Sequence, residues 1–373
     1  VQKDPSQVTQ TWSRGRSCLG SAVMRAVQYD TFGGAIEIVE VPEPTAGEDG
    51  VVLEVNAAGL CRSDWHGWQG HDDAITTLPH VPGHEITGTV IEVGRKVSRW
   101  RVGDRVIVPF VCGCGTCPTC ETGEYQVCPA QWQPGFHGAG GFAERVAIPF
   151  ADANLVRVPT GVSQAAAAAL GCRTATAYRA LTLIAGLRPG EELLVYGAGG
   201  VGLSAIMIAR ALGARTTVID PDPQARDLAR HLGAALTLDP AAFEHDNDLI
   251  DAVGDATNGG AQVSLDAIGA PGVPRQAILS LRRRGRHVQV GLLPHGAEIP
   301  MPRVIGWELA VLGSHGLAGH HYPELLALIA DGRVRPDAMI SRLIGLEEVP
   351  EALATMDTFA HPAGVTIMEQ GRL

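Results

Sequence analysis

The chain has 373 residues, a formal net charge of −11, 45% apolar residues and 18% charged residues. Because single cores seldom grow beyond roughly 250 residues, we expect two domains. The negative charge argues against a nucleic-acid partner, and no apolar run reaches the roughly 20 residues of a membrane span, so we expect a soluble protein without membrane association.

The N-terminal stretch and the cysteines indicate the compartment. Residues 1–23 carry no strand-like or helical periodicity and lack the apolar segment of a secretory signal, which predicts a flexible tail. Of the eight cysteines, four fall within fifteen residues at metal-ligand spacing. Without an export signal, this spacing favours a reducing cytoplasm over a disulfide-forming compartment.

The first half of the chain reads as short strands separated by glycine and proline. These strands are Met24–Asp30, Ile36–Val41, Val51–Ala57, Ile86–Val93, Arg105–Val108 and Phe142–Ile148. The pattern predicts a mostly β domain over residues 24–173.

After Ala165, apolar strands alternate with helical stretches rich in alanine and leucine. These strands are Glu192–Tyr196, Thr216–Asp220, Leu236–Leu238, Val263–Ile268, His287–Gly291 and Leu309–Leu312. Such alternation predicts an α/β fold, a doubly wound parallel sheet of the Rossmann type, over residues 174–314. Residues 315–373 add a helix near Pro323–Asp331 and a strand near Gly364–Met368, which we expect to return to the first domain.

A glycine motif stands between a predicted strand and a predicted helix. Its sequence is Gly197-Ala198-Gly199-Gly200-Val201-Gly202. Glycines there permit a tight turn and a close approach to a pyrophosphate at the helix N-terminus. Asp220, about 20 residues further on, is placed to bind the adenine ribose and to repel a 2′-phosphate. Pro221-Asp222 offers no compensating arginine, so NAD is favoured over NADP. The alternative is a glycine turn with a surface aspartate.

Four cysteines lie in a glycine-rich loop at spacings of two, two and seven intervening residues. They are Cys114, Cys117, Cys120 and Cys128. This set predicts a closed tetrahedral zinc site with a structural role. The alternative is a group of buried or redox-active cysteines. Cys112 lies outside the spacing and is interpreted as a spare thiol.

Three more segments place a possible ligand beside a glycine: Cys61, His84 and Cys172. Two cysteines and one histidine leave the fourth position of a zinc ion open, as a catalytic zinc requires. Taken alone, each is equally compatible with an ordinary loop or core residue. Together with a nucleotide-binding fold, they indicate a reactive metal centre.

From about Met24 to the C-terminus, these motifs and their order resemble the zinc-containing alcohol dehydrogenases of the medium-chain dehydrogenase/reductase superfamily. The resemblance implies a GroES-like catalytic domain beside the Rossmann domain, two zinc ions per chain, and NAD(H). It implies hydride transfer between a small-molecule alcohol and its aldehyde or ketone, in a homodimer or homotetramer.

The resemblance also assigns roles around the metal. Cys61, His84 and Cys172 would bind the catalytic zinc, and Glu85 would approach it transiently. Asp64 would orient the zinc histidine; read without the resemblance, it is an N-cap or turn residue, which is compatible with that role.

A second group of roles concerns the proton and the cofactor. Ser63 and His66 match a relay that passes the proton of a zinc-bound alcohol to solvent. Arg62 matches a pyrophosphate-binding residue. The alternatives are an ordinary surface histidine and a solvated loop arginine. Cofactor contacts are also expected from a set of residues at the ends of later strands, namely Ile268, Gly291 and Leu292.

The substrate cleft is expected to be lined by Phe110, Phe136, His137 and Leu292, with Trp65 near its mouth; the alternative is that these are plain core residues. An apolar, aromatic cleft suits medium-sized hydrophobic or aryl substrates. The runner-up is a related zinc dehydrogenase acting on a polyol, an amino alcohol or a thiol adduct.

Two further observations bear on function. The segment 359–364 lacks the arginine that some relatives direct at the cofactor phosphates, which puts that second clamp in doubt. A non-catalytic zinc-stabilised scaffold would be expected to have lost a ligand or relay residue, and every one of those positions is filled here.

Overall fold

The computed structural model describes residues 22–293, 296–357 and 363–372. Residues 1–21 of the predicted tail and residues 359–362 of the C-terminal segment lie outside the described residues. Within those ranges, every helix is too short or too polar to cross a bilayer.

The first half of the chain forms a hairpin and a mostly antiparallel sheet. Its strands are β1 Val23–Gln28, β2 Glu37–Pro42, β3 Val51–Leu60, β4 Glu85–Val93, β5 Arg105–Val108, β6 Arg145–Ile148 and β7 Val156–Arg157. The last long strand starts three residues later than its pattern suggested. The reason is that Phe142 and Ala143 pair with β1 instead: the Val27 amide donates to the Phe142 carbonyl oxygen at 2.8 Å, and Ala26 bridges Ala143.

The second half forms a six-stranded parallel sheet. Its strands are β8 Glu192–Tyr196, β9 Arg215–Ile219, β10 Leu236–Leu238, β11 Ala261–Asp266, β12 Leu281–Gln289 and β13 Ala310–Gly313. The order β10-β9-β8-β11-β12-β13 is that of a doubly wound nucleotide-binding sheet, which confirms the predicted fold class. Its topological switch point lies between β8 and β11, where such sheets form their binding crevice.

The chain then returns to the first sheet. The strands involved are β14 Ile340–Ile344 and β15 Val365–Glu369. β15 pairs antiparallel with β3, and β14 extends the sheet in parallel with β15. The pattern had indicated β15 but not β14, since Ile340–Ile344 is short and interrupted by Ser341 and Arg342.

Twelve α-helices occur within the described ranges, together with short 3₁₀ turns and one π-helical turn after α5. The helices are α1 Arg62–Trp68, α2 Pro118–Glu121, α3 Ala151–Asn154, α4 Gln164–Ala168, α5 Arg173–Arg179, α6 Gly200–Ala211, α7 Pro223–Leu232, α8 Asp246–Ala256, α9 Val273–Leu279, α10 Met301–Trp307, α11 Tyr322–Ala330 and α12 Val349–Ala354. α4, α5 and α6 belong to one apolar core that also contains Ala57 of the first sheet and Leu193 of the second. The two halves are therefore packed together at the place where α5 begins.

Candidate active site

Three segments far apart in the chain meet where α5 begins. Cys61 is the N-cap of α1, His84 directly precedes β4, and Cys172 directly precedes α5. Their ligand atoms and one carboxylate oxygen of Glu85 all lie within 4.8 Å of one another. The structure thus brings together the residues that the sequence singled out for a reactive metal.

Asp64 connects two of these segments. One carboxylate oxygen accepts the Cys61 amide at 3.0 Å, and the other accepts both the His84 Nδ1–H at 2.8 Å and the Gly83 amide at 3.1 Å. With its Nδ1 occupied, the His84 ring directs Nε2 away from Asp64. That Nε2 is buried and has no hydrogen-bond partner among the described residues, which is the state expected of an imidazole placed to bind a metal.

The two thiols at this site differ in acidity. The Cys172 thiol donates to Cys61, which lowers the pKa of Cys61 well below its usual value and raises the pKa of Cys172. Because the thiolate is the metal-binding form, the depressed pKa of Cys61 favours a bound cation at this site.

Glu85 is paired with an arginine that the sequence did not single out. Arg173 Nε donates to Glu85 Oε1 at 2.7 Å, and Arg173 Nη2 lies 2.7 Å from Glu85 Oε2 without hydrogen-bond alignment. Burial raises the pKa of Glu85 to about 7, and the charge of Arg173 opposes that rise. No sequence signal marks this pair, because its two members are 88 residues apart.

The four-cysteine lobe is also assembled. Its sulfurs are separated by 3.6 Å between Cys114 and Cys128, 3.7 Å between Cys117 and Cys128, and 4.0 Å between Cys114 and Cys120. A tetrahedron with zinc–sulfur bonds of about 2.3 Å has edges of about 3.8 Å, so the donor set and its spacing fit zinc. The fully buried Cys112 thiol lies outside this cluster and donates to the Pro109 carbonyl oxygen at 3.4 Å.

The predicted relay residues lie on α1. Ser63 Oγ is 3.9 Å from the Cys61 sulfur. One turn further, the half-buried His66 has its Nδ1 atom 3.1 Å from the Nδ1 atom of His71, a residue that the sequence analysis missed. Arg62 lies over the Trp65 ring and donates to the Met356 carbonyl oxygen at 2.8 Å.

Two of the predicted cleft residues, Phe110 and Phe136, pack against His84 of the three-ligand site. The ring centroids of Phe110 and Phe136 lie 5.8 Å and 5.3 Å from that of His84. His315, which the sequence analysis did not name, packs edge-on against Phe110 at 5.2 Å. The others lie further out: His137 is exposed, Leu292 is 51% exposed, and Trp65 is half-buried on α1.

The glycine motif forms the turn from β8 to α6. Gly197 has a positive φ of 94°, and a Cβ on Gly202 would lie 1.8 Å from the Gly197 carbonyl oxygen. Both positions therefore require glycine. The half-buried Val201 packs against the shared core, and the loop lies at the switch point of the parallel sheet.

Asp220 closes this loop from the neighbouring strand. Its carboxylate accepts the Ala198 amide at 2.7 Å and the Asp222 amide at 2.8 Å. Pro221-Asp222 offers no arginine, as the sequence indicates, but the first turn of α7 carries Arg226 back toward Asp220. The Arg226 guanidinium is engaged there, donating to the Asp220 and Pro221 carbonyl oxygens and pairing with Asp239.

A buried polar chain supports the other predicted cofactor residues. Asp266 ends β11 and accepts the Ile268 and Gly269 amides at 2.8 Å and 2.9 Å. Gln289 donates to Asp266 and to the Gly291 carbonyl oxygen. Ile268 therefore belongs to a turn after β11, not to the strand itself, and the side chain of Ile268 approaches Gly197.

Comparison with known proteins gives matches along nearly the whole chain. The sequence models of the alcohol dehydrogenase GroES-like domain and of the zinc-binding dehydrogenase domain match residues 47–160 and 200–331. An alcohol dehydrogenase of Geobacillus stearothermophilus is 33% identical over 335 residues, covering 90% of this chain and 96% of its own. A scyllo-inosose 3-dehydrogenase of Thermotoga maritima is 30% identical over 378 residues, covering 94% and 93%. A solved structure of a zinc-binding dehydrogenase from Sinorhizobium meliloti 1021, bound to NADP, has a TM-score of 0.83 at 28% identity and covers 93% and 99%.

Proposed function

The chain belongs to the zinc-containing alcohol dehydrogenases of the medium-chain dehydrogenase/reductase superfamily, and on that premise we propose that it interconverts an alcohol and its carbonyl compound with NAD(H). One observation carries the proposal. Cys61 and Cys172 converge beside a dinucleotide loop with the Nε2 atom of His84, which has no hydrogen-bond partner in the described part of the chain.

The donor set suits zinc at both clusters. Two thiols and one imidazole make an open three-ligand site, and four thiols make a closed one. Zinc at Cys61, His84 and Cys172 would supply a Lewis acid that makes an alcohol hydroxyl more acidic, and a nicotinamide would supply the hydride acceptor.

The side chains around that centre have separate tasks in this proposal. Asp64 holds His84 in the tautomer that leaves Nε2 free. Ser63 takes up the hydroxyl proton, and His66 passes it toward His71 and solvent. The rings of Phe110 and Phe136 exclude water from the reacting carbon.

NAD is proposed over NADP because of Asp220. Its carboxylate lies at the end of β9, where the adenine ribose of a dinucleotide lies in such sheets, and would repel a 2′-phosphate. The positive charge that could offset this repulsion is taken up by Asp239 and two carbonyl oxygens. Because the structure of the Sinorhizobium neighbour is bound to NADP, the preference of this chain for NAD over NADP has to be measured directly.

Medium-sized hydrophobic or aryl alcohols are the proposed substrates, since aromatic rings flank the metal cluster. The test is a panel of aryl, aliphatic, polyol, amino-alcohol and thiol-adduct substrates on purified, metal-analysed protein. A higher kcat/KM for aryl and branched aliphatic alcohols supports the proposal. A preference for polyols would instead align the chain with the Thermotoga relative.

We propose three segments, 24–173, 174–314 and 315–373, because the last one adds strands to the first sheet.

All seven described cysteines are free thiols, which favours a reducing compartment such as the cytoplasm.

A homo-oligomer is proposed through the open edge of the parallel sheet. β13 is an edge strand, and Val311 on it is 40% exposed; Ile305 and Met301 on α10 are 71% and 49% exposed. Pairing with a second copy would cover such an edge. Light scattering should give a dimer or tetramer, and Val311→Lys should shift it toward monomer while Val102→Lys, at another exposed valine, should not. A monomeric wild type would contradict this.

A further inference from the structure

One buried guanidinium contacts all three ligand-bearing segments. Arg173 directly follows Cys172, pairs with Glu85 directly after His84, and donates through Nη2 to the carbonyl oxygen of Leu60, directly before Cys61, at 2.6 Å. Its side chain is 5% exposed and that of Glu85 is fully buried. Arg173 therefore contacts the chain neighbour of His84 and the chain neighbour of Cys61, and it is itself the chain neighbour of Cys172.

The stem of the same arginine lies against the dinucleotide loop. A Cβ on Gly200 would stand 2.1 Å from Arg173 Cδ, 3.1 Å from Cγ and 3.2 Å from Nε. The stem cannot swing aside cheaply, because the guanidinium is anchored at Glu85 and Leu60. By contrast, among the described residues a Cβ on the neighbouring Gly199 would meet no atom within 4 Å beyond its own chain neighbours.

We propose that Arg173 is a positioning residue that couples the three-ligand metal centre to the dinucleotide loop. A shift of the loop at Gly200 moves the Arg173 stem, and the guanidinium transmits that shift to the segments of Cys61, His84 and Cys172. Coupling of this kind is reciprocal, so metal binding also changes the affinity for the dinucleotide. The proposal rests on the proposed function, since it presupposes both binding sites.

The loop offers a matched pair of variants for the first test. Gly200→Ala is expected to speed the loss of the labile zinc to a chromogenic chelator by about 10- to 100-fold, the range typical of residues that support metal ligands. Gly199→Ala alters the same loop without touching Arg173, so its zinc loss should match the wild type. Equal rates in the two variants would overturn the proposal.

A second test covers the case in which Gly200→Ala does not fold. The double variant Glu85→Gln/Arg173→Met removes both charges, which a buried site tolerates better than the loss of one partner. Arg179→Met serves as its control, because Arg179 ends the same helix and pairs with Glu124 instead. The wild type, the double variant and Arg179→Met are each loaded with Co²⁺ at the three-ligand site and titrated with ADP-ribose. This ligand reaches the dinucleotide loop but has no nicotinamide to cover the metal.

The visible absorption of Co²⁺ reports the geometry of its ligands. ADP-ribose should shift this spectrum in the wild type and in Arg179→Met but not in the double variant. A shift of the same size in the double variant, or none in the wild type, would overturn the coupling. Failure of the proposed function looks different, since a wild type that binds neither metal at Cys61, His84 and Cys172 nor NADH leaves no spectrum to shift.

Discussion

At the scale of single residues, the candidate centre depends on a few buried polar side chains that each serve more than one group. Asp64 accepts hydrogen bonds from the Cys61 amide, the Gly83 amide and the His84 ring. Arg173 donates to Glu85, which follows His84, and to the carbonyl oxygen of Leu60, which precedes Cys61. Because an unpaired buried charge is costly, such residues hold the ligands in one arrangement.

Ser63→Ala is expected to lower the turnover of alcohol oxidation by about 10²- to 10⁴-fold, the range of general acid–base catalysis, with zinc content unchanged. The reason is that no other hydroxyl is placed beside Cys61 on α1. Ser63→Thr keeps the hydroxyl and is the matched control. Full activity in Ser63→Ala with zinc retained would contradict the assigned role.

His66→Ala should lose less activity at high pH than at neutral pH, because hydroxide and buffer replace an outer relay base. Burial lowers the pKa of His66, with Arg62 and His71 adding to the effect, so the wild-type ring is a neutral base at neutral pH. The measurement is the pH profile of kcat, with and without added imidazole. Profiles of identical shape in wild type and variant would place the relay elsewhere.

His80 should make the fold sensitive to acid. Burial lowers its pKa to about 4, while its Nε2–H donates to the Gly135 carbonyl oxygen at 2.8 Å. In the unfolded chain His80 takes up a proton below about pH 6.5, whereas in the folded chain it does so only below about pH 4. The free energy of unfolding therefore falls, by up to about 3 kcal/mol, as the pH is lowered through that window. His80→Gln, which keeps a donor, should flatten this dependence in urea unfolding between pH 6.5 and 4. An equal slope in both proteins would refute it.

At the scale of secondary-structure elements, the cofactor crevice is formed by turns at the carboxyl ends of β8, β9, β11 and β12. Asp220 binds the amide of the glycine loop, and Asp266 binds the turn that carries Ile268. β9 and β11 thus each end at a carboxylate that orders a neighbouring loop. This is how a rigid parallel sheet sets the position of flexible turns.

Asp220→Asn should reduce the preference for NAD over NADP, measured as the ratio of the two kcat/KM values, by about tenfold or more, which corresponds to about 1.4 kcal/mol. Asparagine keeps an acceptor for the Ala198 amide but removes the charge that repels a 2′-phosphate. Asp222→Asn is the control, because Asp222 caps α7 through the Gln224 amide. A wild type that already prefers NADP would contradict the argument.

At the scale of the whole molecule, the two candidate metal sites differ in how far apart along the chain their ligands lie. The three-ligand cluster lies where the two sheets pack together, with ligands from three segments spread over residues 61–172. The four-cysteine cluster is local, within residues 114–128, and Asn154 fastens its loop through two hydrogen bonds to Gly113. The three-ligand site leaves the fourth coordination position of a zinc ion open, whereas the four-cysteine site fills all four positions.

A chelator should therefore remove one zinc quickly with loss of activity, and the second only with loss of the fold. Cys172→Ser should retain one zinc per chain and a near-native melting temperature, whereas Cys120→Ser should lower the melting temperature. Metal analysis combined with thermal unfolding checks both. Fully active protein with one zinc or none would contradict the two-metal assignment.

Local chemistry was readable from the sequence by itself. The cysteine spacing of residues 114–128 and the glycine motif after β8 are contiguous, so their residues must lie close together whatever the rest of the chain does. Most of the strands were equally readable, since burial on one or both faces of a sheet leaves a periodic apolar pattern. β7 and β14 are too short or too interrupted to show such a pattern, and only their pairing with β5 and β15 makes them strands.

Long-range partners were decided by the tertiary structure alone. Arg173 with Glu85 and Arg173 with Leu60 are hydrogen-bonded pairs whose members are 88 and 113 residues apart and carry no mark of each other in the sequence. A family resemblance could name the ligands Cys61, His84 and Cys172, but it could not show which side chain joins their segments to Gly200. That contact exists because the shared core packs the start of α5 against the start of α6, and close packing leaves room there for glycine only.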